Sequence, residues 1–394
     1  MLTFDEAQNR VLALAEVLPE TRVSLAAAHG RVLAADVHVR GDWPAFDAST
    51  MDGYAVRAAD VTEGMPVAGE SRAGAEAPDL EPKSACRIFT GAPMPRGADA
   101  VIMQEEAERD GDRVTFRSKP AAGAFVRKRG DDLRAGEIAL AKGTRVSASS
   151  LAMLASLDQA DVAVVRAPRV AIVPTGDELR APGTTGGPAS IAESNSPALA
   201  AMAERAGAKV TTSAPVPDEL DRVTRAFDEA LRTCDVLVTI GGVSVGEHDV
   251  VKEALEACGV RLDFWRVAIK PGKPLAVGKR GTAIVLGLPG NPVSAMVTFA
   301  LFGVPLLRAM QGDRAALPRA TRMKLAAPAA HKTGRLELAR ARVSREGVTL
   351  LPNQASGAIV GLCRADVLAS IPADVERLDA GADVDVFSLA ELGL

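Results

Sequence analysis

The chain has 394 residues, more than one ordinary domain holds, so we expect two to four domains. Its hydrophobic share is 47%, but aromatic residues make up only 3%, so its cores must be built from Ala, Val and Leu. A net charge of −4 gives no electrostatic argument for binding nucleic acid or an anionic membrane, and we expect neither partner.

Cysteine use and the first residues predict the compartment. The four cysteines lie far apart, with no Cys-x-x-Cys pair and no zinc-like Cys/His spacing. Residues 1–6 carry acids where a signal peptide would carry Lys or Arg. The most apolar stretch, 293–307, is too short to span a bilayer and is interrupted by Pro305, so it predicts a buried helix. We expect reduced thiols and a cytoplasmic protein.

The first 167 residues combine helical ends with a β-rich middle. Residues 3–18 predict a helix, with Thr3 as its cap and Glu6 closing a capping box. From about residue 23 to 140, short β-type runs alternate with Gly and Pro turns. A second helix is predicted over 147–157.

From residue 168 to about 312, strand and helix patterns alternate. The predicted strands are 169–174, 209–214, 235–240 and 282–288, and the predicted helices are 196–206, 218–233, 250–257 and 292–310. This alternation predicts a parallel sheet with right-handed crossovers. Strand-like runs return after residue 317.

These patterns predict a multidomain fold of the α/β plus β class. Its expected parts are a helical linker domain (1–19 and 138–167), a β-rich domain (20–137), a three-layer α/β/α domain with a central parallel sheet (168–316) and a small β-barrel-like domain (317–394).

Two loops carry the strongest chemical signal. Pro174-Thr-Gly-Asp-Glu-Leu179 and Gly241-Gly-Val-Ser-Val-Gly-Glu-His-Asp249 each follow a buried, β-branched run. Ligands bind at the carboxyl edge of such sheets, where glycine-rich turns can cradle phosphate and carboxylates can hold Mg²⁺. The loops therefore predict an enzyme that acts on a phosphate-bearing small molecule.

The acids of these loops admit two interpretations. Asp177, Glu178 and Asp249 could cap helices, which is common at such positions. Two acidic loops on neighbouring strands favour a functional role, because converging carboxylates are costly without a cation or a proton between them. The loop residues Gly241, Gly242, Ser244 and Gly246 suit a phosphate contact, or a tight turn with positive φ.

Basic residues supply candidate anion sites. Lys270 and Lys273 flank Pro271-Gly272, with Arg266 nearby, and could capture an oxyanion or form a solvated turn. Pro289 and Pro292 bracket the start of a helix, whose free N–H groups can bind an anion. None of the four histidines has metal-like spacing.

Taken together, the motifs resemble the MoeA/gephyrin E-domain family, the molybdopterin molybdenumtransferases of molybdenum-cofactor biosynthesis, over essentially the whole chain. The matching segments are, in order, 49–56 (STMDGYAV), 90–93 (TGAP), 97–101 (GADAV), 126–132 (VRKRGDD), 175–179 (TGDEL), 194–196 (SNS), 241–249, 270–274 (KPGKP) and 288–294 (LPGNPVS).

The resemblance implies a specific reaction. Adenylylated molybdopterin would bind in the α/β domain, molybdate would enter its dithiolene, and the pterin–AMP bond would be hydrolysed with Mg²⁺ present, releasing AMP. It also implies a homodimer whose active site lies between the α/β domain of one subunit and the β-rich domain of the other. Molybdopterin adenylyltransferase and apo-molybdoenzymes are the further partners that such a role suggests.

The resemblance also implies roles for individual residues. Glu178 and Asp249 would hold Mg²⁺ and position water, and Asp218 would belong to the cofactor-binding residues, although it could instead cap the helix that it is predicted to begin. The β-rich region would contribute Asp52, Thr90, Arg127 and Asp132 to the partner's cleft, and the C-terminal domain would contribute Arg335 and Ser356. From the sequence alone, Asp52 is a turn residue, and Asp131 and Asp132 beside Arg127 and Arg129 could form a surface ion-pair cluster.

Two other functions compete with molybdenum insertion. A molybdopterin adenylyltransferase-like or nucleotide-hydrolysing relative would share the α/β domain but would have no use for the β-rich region. A dimeric scaffold, like gephyrin, would have no chemical need for the charged candidates.

Overall fold

The computed structural model describes residues 1–242 and 250–394. The chain divides into two compact units. Unit 1 holds Met1–Ala35, Gly143–Ala148 and Asp161–Leu394, and unit 2 holds Asp36–Lys142 and Ser149–Ala160. The chain thus passes from one unit to the other after Ala35, Lys142, Ala148 and Ala160.

Helices of the described ranges lie mainly in unit 1. The α-helices are α1 (Phe4–Ala13), α2 (Ala148–Ser156), α3 (Asn195–Arg205), α4 (Leu220–Leu231), α5 (Val250–Ala257), α6 (Pro292–Thr298), α7 (Val304–Met310), α8 (Ile359–Cys363) and α9 (Leu389–Leu392). Short 3₁₀ turns cover Leu25–Ala27, Ala58–Asp60 and Gln104–Glu106.

Strands up to residue 142 belong to unit 2 except the first. They are β1 (Glu20–Ser24), β2 (Val37–His38), β3 (Ala48–Ser49), β4 (Gly53–Val56), β5 (Met65–Ser71), β6 (Ala85–Ile88), β7 (Ala100–Met103), β8 (Ala107–Asp110), β9 (Arg113–Phe116), β10 (Val126–Arg127) and β11 (Ile138–Leu140).

The later strands belong to unit 1. They are β12 (Asp161–Val165), β13 (Arg169–Pro174), β14 (Leu179–Arg180), β15 (Ile191–Ala192), β16 (Lys209–Thr212), β17 (Val236–Ile240), β18 (Arg261–Arg266), β19 (Ile269–Lys270), β20 (Pro274–Arg280), β21 (Ala283–Leu288), β22 (Ala320–Lys324), β23 (Ala329–Ala330), β24 (Leu336–Ser344), β25 (Gly347–Leu350), β26 (Val367–Ile371), β27 (Arg377–Leu378) and β28 (Asp383–Ser388).

Helix α1 has the predicted capping box but is shorter than predicted. The Glu6 amide donates to the Thr3 hydroxyl (3.3 Å), and the Thr3 amide donates to the Glu6 carboxylate (2.9 Å). The helix ends at Ala13 rather than near Leu18, because the Leu18 amide donates to the Met310 carbonyl at 2.9 Å, at the end of α7. The buried side of α1 packs on the α6–α7 region, with the Phe4 and Phe302 ring centroids 5.6 Å apart.

The main sheet of unit 1 has the order β16-β13-β17-β21-β20-β18. Its first four strands are parallel, as predicted. Strands β20 and β18 extend it in the antiparallel sense, so the sheet is mixed and the prediction of a purely parallel sheet was incomplete. Valine, isoleucine and leucine side chains of β13, β17 and β21 are buried between the helices on its two faces, which confirms the three-layer α/β/α architecture.

One helical stretch of the described chain is 19 residues long. Residues Pro292–Met310 are continuous through a π-helical segment, Phe299–Gly303, that precedes Pro305. Within the described residues it is the one stretch that could cross a membrane by length and composition, so the expectation that it is too short was wrong. Because 89% of it is buried inside the protein, the structure agrees with the predicted buried helix.

The C-terminal strands form the predicted barrel-like sheet. Strands β25, β24, β26, β28 and β22 pair in that order. A bridge between Leu325 and Val348 joins the end of β22 to β25 and closes the ring. Strand β19 pairs with the start of β24, placing Lys270 opposite Glu337.

Unit 2 is built on a second six-stranded sheet, with the order β7-β4-β6-β5-β9-β8. All its pairings are antiparallel except β5 with β6. Tyr54, Met65 and Val114 are buried in its core. The separate pair β3–β10 joins Ala48–Ser49 to Val126–Arg127.

Candidate functional site

A cavity of about 330 Å³ lies at the carboxyl edge of the unit 1 sheet. Strands β13, β17 and β21 are parallel and neighbouring, so the loops that follow them meet at this edge. Residues from these loops and from the start of α3 line the cavity: Thr175, Glu178, Leu179, Ile191, Ala192, Glu193, Ser194, Asn195, Ile240, Gly241, Gly290, Asn291 and Pro292. The predicted Gly242 and Pro289 directly adjoin lining residues.

Glycine lets two of these loops approach each other. Gly241 has φ of +90°, and a Cβ added there would lie 2.6 Å from the Thr175 carbonyl oxygen. A side chain at position 241 would therefore push apart the loops after β13 and β17. Ser244, Gly246 and Asp249, which the sequence predicts in the same loop, lie outside the described residues.

Three acids gather beside the cavity. The Asp218 amide donates to Asp177 Oδ1 at 3.1 Å, and Glu178 lines the cavity. Burial raises the pKa of Asp218, and the charges of Asp177 and Glu178 raise it further. Capping does not explain Asp218, since Glu219 is the N-cap of α4.

This acidic group bears on the predicted Mg²⁺. The carboxylates of Asp177 and Glu178 repel that of Asp218, and a divalent cation would relieve this repulsion. Mg²⁺ prefers oxygen ligands. The described part of the chain holds no group of three or more His, Cys, Asp or Glu side chains arranged for a metal. Carboxylate oxygens are of the type that Mg²⁺ takes, but the described acids do not by themselves form a metal site, and the Glu178–Asp249 pair stays a prediction.

Glu193 and Asn195 were not identified as site residues from the sequence. The buried Glu193 Oε1 accepts hydrogen bonds from the amides of Asn195 (2.7 Å) and Ser196 (2.9 Å), at the start of α3. Asn195 Nδ2 donates to the Gly290 carbonyl at 2.7 Å. These bonds fix the α3 terminus to the loop after β21. The sequence feature that could have identified Glu193 is its position, as an acidic residue just before a predicted helix start.

The basic loop lies at the same edge of the sheet. Arg266 ends β18 opposite Pro274 at the start of β20, and β20 runs antiparallel to β21, so the connecting loop sits where β21 ends. Lys270 Nζ lies 2.9 Å from Glu337 Oε1, whereas Arg266 and Lys273 are exposed. Arg335 Nη1 donates to the Ile269 carbonyl at 3.5 Å, beside Lys270.

Ser356 meets the start of α6. Asn291 Nδ2 donates to Ser356 Oγ at 3.0 Å, and the Val293 amide donates to the Ser356 carbonyl at 3.1 Å. The loop that carries Ser356 is held by Arg340, which is 2% exposed and donates to three of its carbonyls. Sequence analysis did not identify Arg340. The feature that could have identified it is an arginine within the apolar run of β24.

Unit 2 holds the remaining candidates. Asp52 Oδ1 accepts hydrogen bonds from the Thr90 amide (2.8 Å) and hydroxyl (3.0 Å), and these bonds hold the pKa of Asp52 below its usual range. Arg127 pairs with Asp132, about half exposed, as the ion-pair interpretation expects. The structure thus brings Asp52 together with Thr90, and Arg127 together with Asp132.

Family models match three parts of the chain. They are described as "MoeA N-terminal region (domain I and II)" over residues 2–157, "Probable molybdopterin binding domain" over 171–309, and "MoeA C-terminal region (domain IV)" over 322–389. Together the three matches cover nearly the whole chain, from the N-terminal to the C-terminal region of the family.

Curated relatives and solved structures agree with these models. A molybdopterin molybdenumtransferase of Haemophilus influenzae is 40% identical over 80% of this chain and 79% of its own length. The molybdopterin molybdenumtransferase 2 of Mycobacterium tuberculosis is 35% identical over 99% of this chain and 100% of its own. The crystal structure of a molybdopterin biosynthesis MoeA protein from Pyrococcus horikoshii has a TM-score of 0.85 at 28% identity, covering 98% of this chain and 100% of the other.

Proposed function

The chain belongs to the MoeA family of molybdopterin molybdenumtransferases, and from that premise we propose that it inserts molybdate into the dithiolene of adenylylated molybdopterin, with Mg²⁺-dependent hydrolysis and release of AMP. The observation that carries the proposal is the cavity at the carboxyl edge of the sheet, which has acids on one side and a basic loop at the same edge. A lone adenylyltransferase is not favoured, because the matching relatives extend over both units.

The proposed roles follow from charge and position. The glycine turn at Gly241 lets a phosphate approach the backbone closely at the cavity. Lys270, Lys273 and Arg266 capture an oxyanion, either phosphate or molybdate. Glu178 with Asp249 would hold Mg²⁺, which when bound would neutralise charge on the pyrophosphate.

The assembly is part of the proposal. A homodimer would combine the unit 1 cavity of one subunit with Asp52, Thr90, Arg127 and Asp132 of the other, and Arg335 and Ser356 would contact the substrate from the C-terminal sheet. We also propose the four domains with the boundaries given above, a cytoplasmic location, and molybdopterin adenylyltransferase and apo-molybdoenzymes as partners.

The test is AMP release from adenylylated molybdopterin by the purified protein. With Mg²⁺ present, we expect AMP to appear only when molybdate is added, in step with active cofactor. Glu178→Gln should slow this release by roughly 10²- to 10⁴-fold, the range for loss of a positioned carboxylate. Glu204→Gln, an exposed position on α3, is the matched control and should behave as wild type.

Two outcomes would contradict the proposal. Release without molybdate would indicate a nucleotide hydrolase. No release under any condition, from a folded protein, would indicate a scaffold.

A further inference from the structure

A buried carboxylate connects Lys270 to a histidine. Glu337 Oε1 lies 2.9 Å from Lys270 Nζ, and Glu337 Oε2 lies 3.3 Å from His331 Nδ1. The Lys270 side chain is 41% exposed, whereas those of Glu337 and His331 are 7% and 4% exposed. A lysine at the sheet edge is thus backed by two groups that water barely reaches.

The contacts of His331 show where its protons lie. Nε2 is 3.0 Å from the Pro372 carbonyl oxygen, which can only accept, so Nε2 carries a hydrogen. Neither Nδ1 nor Glu337 Oε2 makes a hydrogen bond within the described ranges, so the charged or polar group nearest to each is the other, in ion-pair range. Two bare acceptors facing each other at 3.3 Å, away from water, would repel and remain unsatisfied.

A proton between the two atoms removes this conflict. The ammonium group of Lys270 favours the ionised form of Glu337, so the proton belongs on His331 Nδ1 and the ring is an imidazolium. Glu337 is then shared by two cations, and the three groups together carry one positive charge. Loss of the His331 proton would leave them neutral.

Other charges surround this trio, which we call the Lys270 cluster. On β24 and just before it, Arg335 lies beside Lys270, and Arg340 acts on Glu337 through its charge. Lys332 follows His331 and is exposed. The loop after β26, which carries Pro372, adds the exposed Asp374 and Glu376.

We propose that Glu337 and protonated His331 are positioning residues that hold the Lys270 ammonium for oxyanion capture, and that loss of the His331 proton weakens this capture. The inference rests on the proposed function, which makes Lys270 an oxyanion ligand. A carboxylate already satisfied by the imidazolium competes less with an arriving oxyanion for Lys270. A neutral cluster also attracts that anion less than a positive one.

Binding of molybdate alone to the full chain tests the proposal. Its affinity is measured by calorimetry over roughly pH 5–9, the range that includes histidine titration. For the wild type we expect a fall of roughly five-fold with rising pH, on the scale of one lost nearby charge. His331→Gln should remove this fall.

His38→Gln is the matched control, because His38 is exposed and makes one contact, to the Gly136 carbonyl. It should retain the wild-type pH dependence, and it corrects for titration of molybdate itself. Equal thermal midpoints among the variants would separate positioning from folding. An unchanged pH dependence in His331→Gln would overturn the proposal.

Nitrogen NMR of histidine-labelled protein gives a readout that does not depend on molybdate. Four histidines are present, and His331→Gln assigns the relevant signal. We expect both ring nitrogens of His331 to carry hydrogen under the conditions of tightest molybdate binding; a neutral ring there would overturn the proton placement. If His331 is doubly protonated but molybdate does not bind, the molybdate-capture role of Lys270 fails, while AMP release tests the proposed function separately.

Discussion

Asp218 shows a local conflict between stability and proposed function. Its pKa is raised in the folded protein, mainly by burial and then by Asp177 and Glu178. The folded state therefore binds the proton more tightly than the unfolded state. The free energy of unfolding falls as the pH rises from the pKa of Asp218 in the unfolded chain to its pKa in the folded protein. Such a cost is expected of an acid kept for chemistry or for a cation.

Asp218→Asn tests this conflict. At neutral pH the variant should unfold at a higher temperature than the wild type, because the repelled charge is gone. The gain should stay below about 1 kcal/mol, since Asp218 is exposed and screened. Below the pKa of Asp218 in the unfolded chain the gain should vanish. Thermal unfolding at several pH values measures both effects, and a variant less stable at neutral pH would contradict the argument.

The pKa of Asp52 is lowered, whereas that of Asp218 is raised, and Thr90 provides the test. Thr90 keeps the pKa of Asp52 low by donating from its amide and its hydroxyl. Thr90→Val preserves shape but removes the hydroxyl donor, so the pKa of Asp52 should rise. If Asp52 acts as an anion in the reaction, acidification should then abolish AMP release at a higher pH in the variant than in the wild type. Thr115→Val, on an exposed position of β9, is the control and should leave the pH profile unmoved.

At the scale of elements, the loop between β19 and β20 depends on one glycine. Gly272 has φ of +102°, and a Cβ added there would lie 2.2 Å from Thr298 Oγ1 on α6. Gly272→Ala should destabilise unit 1 by about 2–3 kcal/mol, from backbone strain and the clash together, and should weaken oxyanion binding.

Gly281→Ala is the matched control. Gly281 also has a positive φ, of +58°, but an added Cβ would meet nothing within 4 Å. It should cost only the backbone strain, about 1 kcal/mol, and should leave anion binding intact. Thermal midpoints and molybdate titration compare the two variants; equal effects would mean that the contact with α6 is unimportant.

Sequence patterns predicted the elements that they mark strongly. Strands β13, β17 and β21 are apolar and β-branched runs, and their predicted bounds agree with the structure to within one residue. Strands β18 and β20 were missed, because β18 alternates exposed and half-buried residues and carries three charges, while β20 contains glycine and ends in Lys-Arg. The edge strand β18 lacks the continuous apolar signal of a central strand, and in β20 that signal is limited to Leu275–Val277.

The candidate site was predictable to the extent that its residues sit in motifs. The loops after β13, β17 and β21 could be placed at one edge, because parallel strands end together. The partners of Lys270 could not be found in the same way. Glu337 follows Lys270 by 67 residues, and no sequence period links β19 to β24. Arg340 was missed for the same reason, since its role depends on a loop folded back onto its own strand.

At the scale of the whole molecule, the proposed dimer predicts complementation. Asp52→Asn and Glu178→Gln each remove a charge from a different unit. If one active site draws Glu178 from one subunit and Asp52 from its partner, a mixed dimer of the two variants regains one intact site. Co-expression with two affinity tags isolates the mixed dimer, and we expect about half of the wild-type AMP release.

Mixed dimers that stay as inactive as the parents would indicate that each subunit builds its own site. A co-purified pair of wild-type subunits carrying the same tags is the control. Because both substitutions are exposed charge-to-amide changes, we expect the variants to fold normally.

The packing of α1 has a consequence for synthesis of the chain on the ribosome. The helix is made long before its partner, because Gln8 Nε2 donates to the Leu301 carbonyl, 293 positions later. At about 5–20 residues per second, the buried residues Ala7 and Val11 wait roughly 15–60 s for their partners to emerge. Unit 2 is nearly complete in sequence by Lys142 and can fold during that interval. The apolar side of α1 stays uncovered meanwhile, so we expect chaperone demand during synthesis to be set by α1 rather than by unit 2.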